Sequence, residues 1–294
     1  MTAPSGPLPF ASHFIELRGH RFHYVDEGPK DAPPLLCLHG NPTWSFYWRR
    51  LVAGLSDRWR VLALDHLGCG LSDKPQDGSY RLEEHIRNVE AFVAALDLRE
   101  LSVVVHDWGG AIGLGFAGRQ PDRVARLVIT NTGAFPAPVI PLRIAACRIP
   151  LLGELAVRGL NGFAGAAVYM ATEKGLDAEA RAGLLAPYDS WANRIATHRF
   201  VLDIPMSPAH PSWNTLQGVE RGLRALQGKP ALLVWGEQDW CFTPWFRREF
   251  ERRLAGCEVE RLDDVGHYVM EDAPERVVPR VRRFLEEHPV RGGR

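Results

Sequence analysis

The stretch Val103-Val104-Val105-His106-Asp107-Trp108-Gly109-Gly110 puts a carboxylate at the end of a β-branched run, directly before a small-residue segment that continues to Gly118. This pattern predicts a buried strand, a sharp turn and a helix, a unit that lifts one side chain out at the top of a sheet. An aspartate in that place is charged at neutral pH and needs no base to activate it. It can attack an sp³ carbon as well as a carbonyl. The chemistry open to Asp107 is therefore cleavage of a carbon–halogen bond, a strained ring or a related ester through a covalent adduct.

A covalent ester needs partners that orient and resolve it, and they follow in the chain order nucleophile, acid, histidine. His267, in Asp263-Asp264-Val265-Gly266-His267-Tyr268, lies between the last strand-like run and a helix expected from about Ala273, where a base reaches back over a sheet. Two places could supply the acid that sets its tautomer. Thr130-Asn131-Thr132-Gly133 contains no carboxylate, whereas Trp235-Gly236-Glu237-Gln238-Asp239-Trp240 contains two. Asp239, farther along the loop, is the expected acid; Glu237 is the alternative, better suited to capping or solvation. For the developing anion, His39-Gly40-Asn41-Pro42-Thr43-Trp44 offers the Asn41 backbone N–H and carboxamide, with Pro42 shaping a turn in which a cis bond is allowed. Trp108 adds an indole N–H that can only donate. Two neutral donors stabilise a departing anion without trapping it in an ion pair.

Positioning these groups requires a sheet. Strand-like runs recur at Phe14–Leu17, Phe22–Asp26, Leu35–His39, Val61–Asp65, Leu101–His106, Leu127–Asn131, Ala231–Gly236 and Val259–Leu262, mostly separated by helix-length segments. The alternation predicts an α/β fold with a mostly parallel eight-stranded sheet and helices on both faces, the first two strands forming an antiparallel hairpin through Arg18-Gly19-His20. His39, Asp65, Asp107, Asn131 and Asp239 all fall at strand ends, where open α/β sheets bind ligands, and are expected to converge on one cleft. The alternation stops after Asn131. Residues 133–213 read as an inserted helical cap, and 1–132 with 214–294 as the core. Within the cap, Leu142 to Leu155 is amphipathic and reads as a helix laid over a pocket in preference to one grazing a membrane.

Composition excludes several classes. The 294 residues are 46% hydrophobic, and 35 basic side chains balance 35 acidic ones. No charge block points to nucleic acid, and a small hydrophobic ligand is the better match. Cys37, Cys69, Cys147, Cys241 and Cys257 lack CxxC spacing and read as free thiols of a reducing compartment, so a cytoplasmic location is expected. Met1 to Phe10 does not resemble a secretory signal, and no apolar run reaches the roughly 18 residues of a membrane span. No metal or organic cofactor is expected. His20 and His23 read as exposed, without a third ligand, and Arg291 to Arg294 reads as a frayed tail.

The segments HGNPTWSFYWR (His39 to Arg49), HDWGG (His106 to Gly110), WGEQD and DDVGHY resemble the haloalkane dehalogenase branch of the α/β-hydrolases. The resemblance implies Asp107, Asp239 and His267 as triad and Asn41 with Trp108 as the halide or oxyanion site. Two departures are His106, where dehalogenases commonly have Gln, and Val105 at the first small position of the elbow. The segments DHLGCGLSDKP, PLRIAACRIPLLGE, LNGFA and APYDSWANRIATHRFVLDIP further resemble the β-lactone decarboxylases of bacterial long-chain olefin biosynthesis. That implies opening and decarboxylation of a cis-dialkyl β-lactone to a cis-alkene, with association with the pathway's synthetase. His106 and the cap aromatics Phe135, Phe163, Tyr169, Tyr188 and Trp191 are expected to line the substrate pocket. The alternatives are hydrolysis of haloalkanes by the same residues, an epoxide hydrolase using Tyr169 or Tyr188 as acid, which Asn41 disfavours, and a catalytically silent scaffold.

Overall fold

The computed structural model describes residues 7–290, so the tail Arg291–Arg294 and the first six residues lie outside the described part. The eight expected strands form one sheet: β1 His13–Leu17, β2 His20–Glu27, β3 Pro34–Leu38, β4 Arg60–Leu64, β5 Leu101–Asp107, β6 Val124–Thr132, β7 Ala231–Gly236 and β8 Glu258–Leu262. Their order is β1-β2-β4-β3-β5-β6-β7-β8. β1 and β2 are antiparallel to each other, β2 is antiparallel to β4, and all later pairs are parallel.

Parallel strands need crossovers, and those helices cover both faces. The two-residue period of a strand then divides each apolar run between two cores. Leu36, Leu38, Val103 and Val105 face the helices Leu82–Ala95, Trp108–Arg119 and Trp213–Gly222. Leu35, Cys37 and Val104 face Arg49–Leu55 and Pro274–Glu287. Every residue of β5 is buried. The strand order reverses between β3 and β5, and loops leaving adjacent strands in opposite directions open a crevice at their carboxyl ends. Asn41 follows β3 and Asp107 ends β5, so both stand at that crevice.

Between β6 and β7 the described chain is helical, with short helices at Leu142–Ala146 and Leu152–Glu154, a π-type turn at Leu155–Gly159, and helices at Gly162–Met170, Ala178–Leu185 and Ile195–Leu202. The stretch from Leu142 to Leu155 is thus not one helix packed inward. Ile144 is buried, but Leu142 is 87% exposed and Leu151 83%. Pro150 ends the first helix, because its ring cannot continue one. No helix of the described residues is long and apolar enough to cross a membrane.

Candidate active site

Asp107 sits at the turn between β5 and the helix Trp108–Arg119 with φ 51° and ψ −128°, a conformation L-residues rarely adopt. The turn is held because its neighbours leave room for nothing larger. A Cβ on Gly109 would strike the Leu38 backbone carbonyl, and one on Gly40 would strike the Asp107 carboxylate itself. The Thr132 hydroxyl caps the Asp107 carbonyl. So bound, the carboxylate points over the sheet, where the Asn41 backbone N–H donates to its Oδ1 at 2.6 Å and the Trp108 backbone N–H bonds it as well. The Asn41–Pro42 bond is cis.

His267 Nε2 lies 3.6 Å from Asp107 Oδ2, and His267 Nδ1 pairs with Asp239 Oδ2 at 2.7 Å. Asp239 in turn accepts from the Cys241 backbone N–H at 2.7 Å and from Asn131 Nδ2 at 2.9 Å. Burial raises the Asp107 carboxyl above the ordinary range, and the charge on His267 and the two N–H donors only partly oppose it. Burial also raises Asp239, but the charge and hydrogen bond of His267 outweigh it and hold that carboxyl low. For His267, burial lowers basicity, yet the charge and hydrogen bond of Asp239 and the charge of Asp107 leave the imidazole more basic than usual. Neutralising Asp107 would remove one of those supports and make His267 yield its proton more readily.

These groups meet at a cavity of about 520 Å³ lined by Asn41, Asp107, Trp108 and His267 on the sheet side. Its other walls are mainly apolar, including Phe135, Phe163, Ile144 and Met206. Asn41 Nδ2 donates to the Thr197 carbonyl at 3.1 Å, which orients the carboxamide, while its Oδ1 is buried without a partner.

Other expectations need correction. His106 does not line the cavity: it is fully buried beneath His267, its ring 4.5 Å from that imidazole and stacked at 4.6 Å on Tyr47. Tyr188 is buried and donates to the Thr43 carbonyl at 3.1 Å, because its hydroxyl needs an acceptor there. Tyr169 and Trp191 are exposed under the guanidinium groups of Arg181 and Arg158, so they face outward. Neither tyrosine named for epoxide opening reaches the cavity. Of the strand-end group, His39 and Asp65 stay below the cleft. Asp65 binds His23 Nδ1 at 2.7 Å and the Ser45 N–H at 2.6 Å, and His39 bonds the Gly40 carbonyl and the His66 N–H. His23 is consequently buried, not exposed. Glu237 is taken by Arg247 at 2.6 Å and stays out of the site.

The sequence reading missed Asn131 as the support of Asp239. Its signal was an amide at a strand end where a second acid could have stood. It also missed Trp240, Cys241 and Phe242 as cavity lining, although they directly follow the acid.

A family model of the alpha/beta hydrolase fold matches residues 33–274. The chain belongs to that family. Within it, the chain is 41% identical over 287 residues to a cis-3-alkyl-4-alkyloxetan-2-one decarboxylase of Shewanella oneidensis, covering 95% of this chain and 90% of that protein. It is 34% identical to haloalkane dehalogenase 2 of Mycobacterium tuberculosis over 280 residues, 92% of this chain and 93% of that one. The crystal structure of haloalkane dehalogenase DbeA from Bradyrhizobium elkani superposes with a TM-score of 0.88 at 27% identity, over 94% of this chain and 98% of the other.

Proposed function

We propose that this chain is a β-lactone decarboxylase that converts a cis-3,4-dialkyl β-lactone to a cis-alkene and carbon dioxide through a covalent adduct on Asp107. The observation that carries the reading is a buried carboxylate at the elbow, aimed into a largely apolar cavity and flanked by His267 and two backbone donors. The choice of lactone over haloalkane is supported by the higher identity to the oxetanone decarboxylase, 41% against 34% for the dehalogenase.

In this proposal Asp107 Oδ2 attacks the ring carbon that bears oxygen, from the face opposite that oxygen. The carbon–oxygen bond breaks, ring strain is released, and the lactone oxygen leaves as part of a carboxylate held by Asn41, Trp108 and His267. Next, the bond between that carboxylate and its neighbouring carbon breaks. Its electron pair forms the alkene, carbon dioxide leaves, and the ester bond to Asp107 returns its electrons to the carboxylate. The backbone N–H groups of Asn41 and Trp108 that blunt Asp107 as a nucleophile make it a better leaving group, because they stabilise the charge that returns. Inversion at the attacked carbon followed by anti-elimination keeps both alkyl groups on one side, which gives the cis-alkene. No water is consumed, so the apolar walls serve by keeping it out. Here His267 balances charge more than it activates water, and Asp239, steadied by Asn131, holds its tautomer.

Residues 133–213 are proposed as the cap that closes the chamber, with Phe135 and Phe163 against the alkyl chains. The described cysteines are all unbridged, which supports the proposed cytoplasmic setting. Association with a lactone-forming synthetase is proposed on chemistry alone, since a strained lactone survives better with a short transit. The deciding experiment incubates the purified chain with a cis-dialkyl β-lactone and, separately, with a bromoalkane. A cis-alkene is expected from the lactone; bromide release without any alkene would establish the dehalogenase reading instead.

A further inference from the structure

We propose that the outer face of residues 139–160 is a docking surface that seats the cavity mouth on a lipid bilayer carrying anionic headgroups. Among the described residues, large apolar side chains that remain exposed are concentrated here: Val139 at 73%, Leu142 at 87%, Leu151 at 83%, Leu152 at 65%, Leu155 at 55% and Leu160 at 78%. Leaving so many in water is unfavourable, and exposed apolar clusters of this kind mark a contact with a partner or a membrane.

Three observations favour the bilayer. First, the patch is continuous with the cavity. Val139 is both exposed and part of the cavity wall, and the short helix Leu142–Ala146 turns Ile144 inward to the cavity while Leu142 points out. A surface that covers the patch therefore also meets the mouth. Second, this segment is positively charged on a chain whose net charge is zero: Arg143, Arg148 and Arg158 stand against Glu154 alone. Arg158 and Glu154 pair with each other at 2.7 Å and Arg148 donates inward to the Ile204 carbonyl at 2.7 Å, which leaves Arg143 as the exposed cation and no carboxylate to oppose it. The Arg143 guanidinium lies 5.3 Å from the Trp240 ring at the cavity wall, an aromatic and a cation side by side as at membrane interfaces. Third, the inference rests on the lactone reading for what passes through the mouth. An alkene with two alkyl chains has no group that water can solvate, and a bilayer is the phase that takes it up. A protein clamped over the same rim would close that exit.

The test is flotation of the full chain with phosphatidylethanolamine vesicles, with and without phosphatidylglycerol, beside a variant carrying Leu151→Glu, Leu152→Glu and Leu155→Glu. None of these three residues lines the cavity. The wild-type chain is expected to float with the anionic vesicles, less with the neutral ones, and the variant to bind at least roughly tenfold more weakly. Turnover of a short, water-soluble lactone by the variant is expected to equal wild type, which reports an intact fold. Should the triple variant not fold, Leu151→Glu alone is expected to weaken flotation in the same direction. The inference is overturned if the wild-type chain stays in the soluble fraction or the folded variant floats equally well. It is also overturned if the patch joins two copies into a dimer that the substitutions dissociate in sedimentation. Flotation does not depend on chemistry: alkene formation without flotation overturns only the docking surface, and flotation without alkene formation overturns only the proposed reaction.

Discussion

Asp107 is disfavoured as an ion by its burial, and this has a consequence for stability as well as for chemistry. Its folded-state acidity is weaker than that of an aspartate in the unfolded chain. At neutral pH, above the unfolded-chain value, this shift therefore subtracts from stability. An Asp107→Asn amide keeps an oxygen for the Asn41 and Trp108 N–H groups and removes the buried charge. The expected outcome is loss of turnover by several orders of magnitude together with a higher melting temperature, since the buried charge that opposed folding is gone. A lower melting temperature, measured by calorimetry, would contradict this account. Asn131 works in the opposite direction. Its side chain bonds Asp239 at 2.9 Å, the Gly236 carbonyl at 3.0 Å and the Gly236 N–H at 2.8 Å. Asn131→Ala leaves buried groups without partners, and a loss of about 1–3 kcal/mol in denaturant unfolding is expected. Activity is expected to fall with it, because Asp239 loses one of the bonds that fix its carboxylate. Unchanged stability would show that Asn131 is dispensable.

The elbow is an element whose shape depends on atoms that are absent. Gly109 allows the first turn of the helix Trp108–Arg119 to press against the Leu38 backbone carbonyl, which cannot rotate away as a side chain could. Gly109→Ala is therefore overpacked against main chain and is expected to destabilise by about 1–3 kcal/mol. It also displaces Asp107 from His267 Nε2. A drop in kcat exceeding any change in KM is the expected kinetic signature; wild-type kinetics would mean that the helix shifts freely. The glycine pattern after Asp107 was legible because small residues following a β-branched run have few other uses. The cap was less legible. Helical periodicity between Leu142 and Leu155 does not say which face is buried, and Pro150 divides what looked like one helix.

Across the whole molecule, histidines are an acid-sensitive feature. His39, His66, His85 and His106 are buried, and burial lowers all four below their ordinary value of 6.5, His85 to about 3. Below pH 6.5 the unfolded chain takes up protons that the fold refuses, so stability falls as pH falls, by up to about 1.4 kcal/mol per pH unit for each group. His267 does not counter this. Its raised value contributes stability that is already complete below 6.5 and is lost only as pH rises through its folded value. Against a total of roughly 5–15 kcal/mol, buried neutral histidines of this kind are a substantial acid load on the fold. Thermal melts between pH 7.5 and 4.5 are expected to show a steep decline beginning near pH 6; a flat profile to pH 5 would refute it.

The chain by itself determined the sheet, the order of its elements and the meeting of Asp107, His267 and Asp239. Periodicity and position at strand ends are local properties, and a strand must deliver its last residues to the sheet's carboxyl edge. It did not determine which neighbours of those ends reach the cavity. His106 and His39 lie within a residue or two of Asp107 and Asn41 yet are buried, Asp65 at its own strand end is buried as well, and Tyr169 and Trp191 turn outward under Arg181 and Arg158. Those outcomes depend on the direction of a side chain within a packed three-dimensional neighbourhood, where partners more than a hundred residues away, such as the Thr43 carbonyl for Tyr188, decide where each polar atom is satisfied.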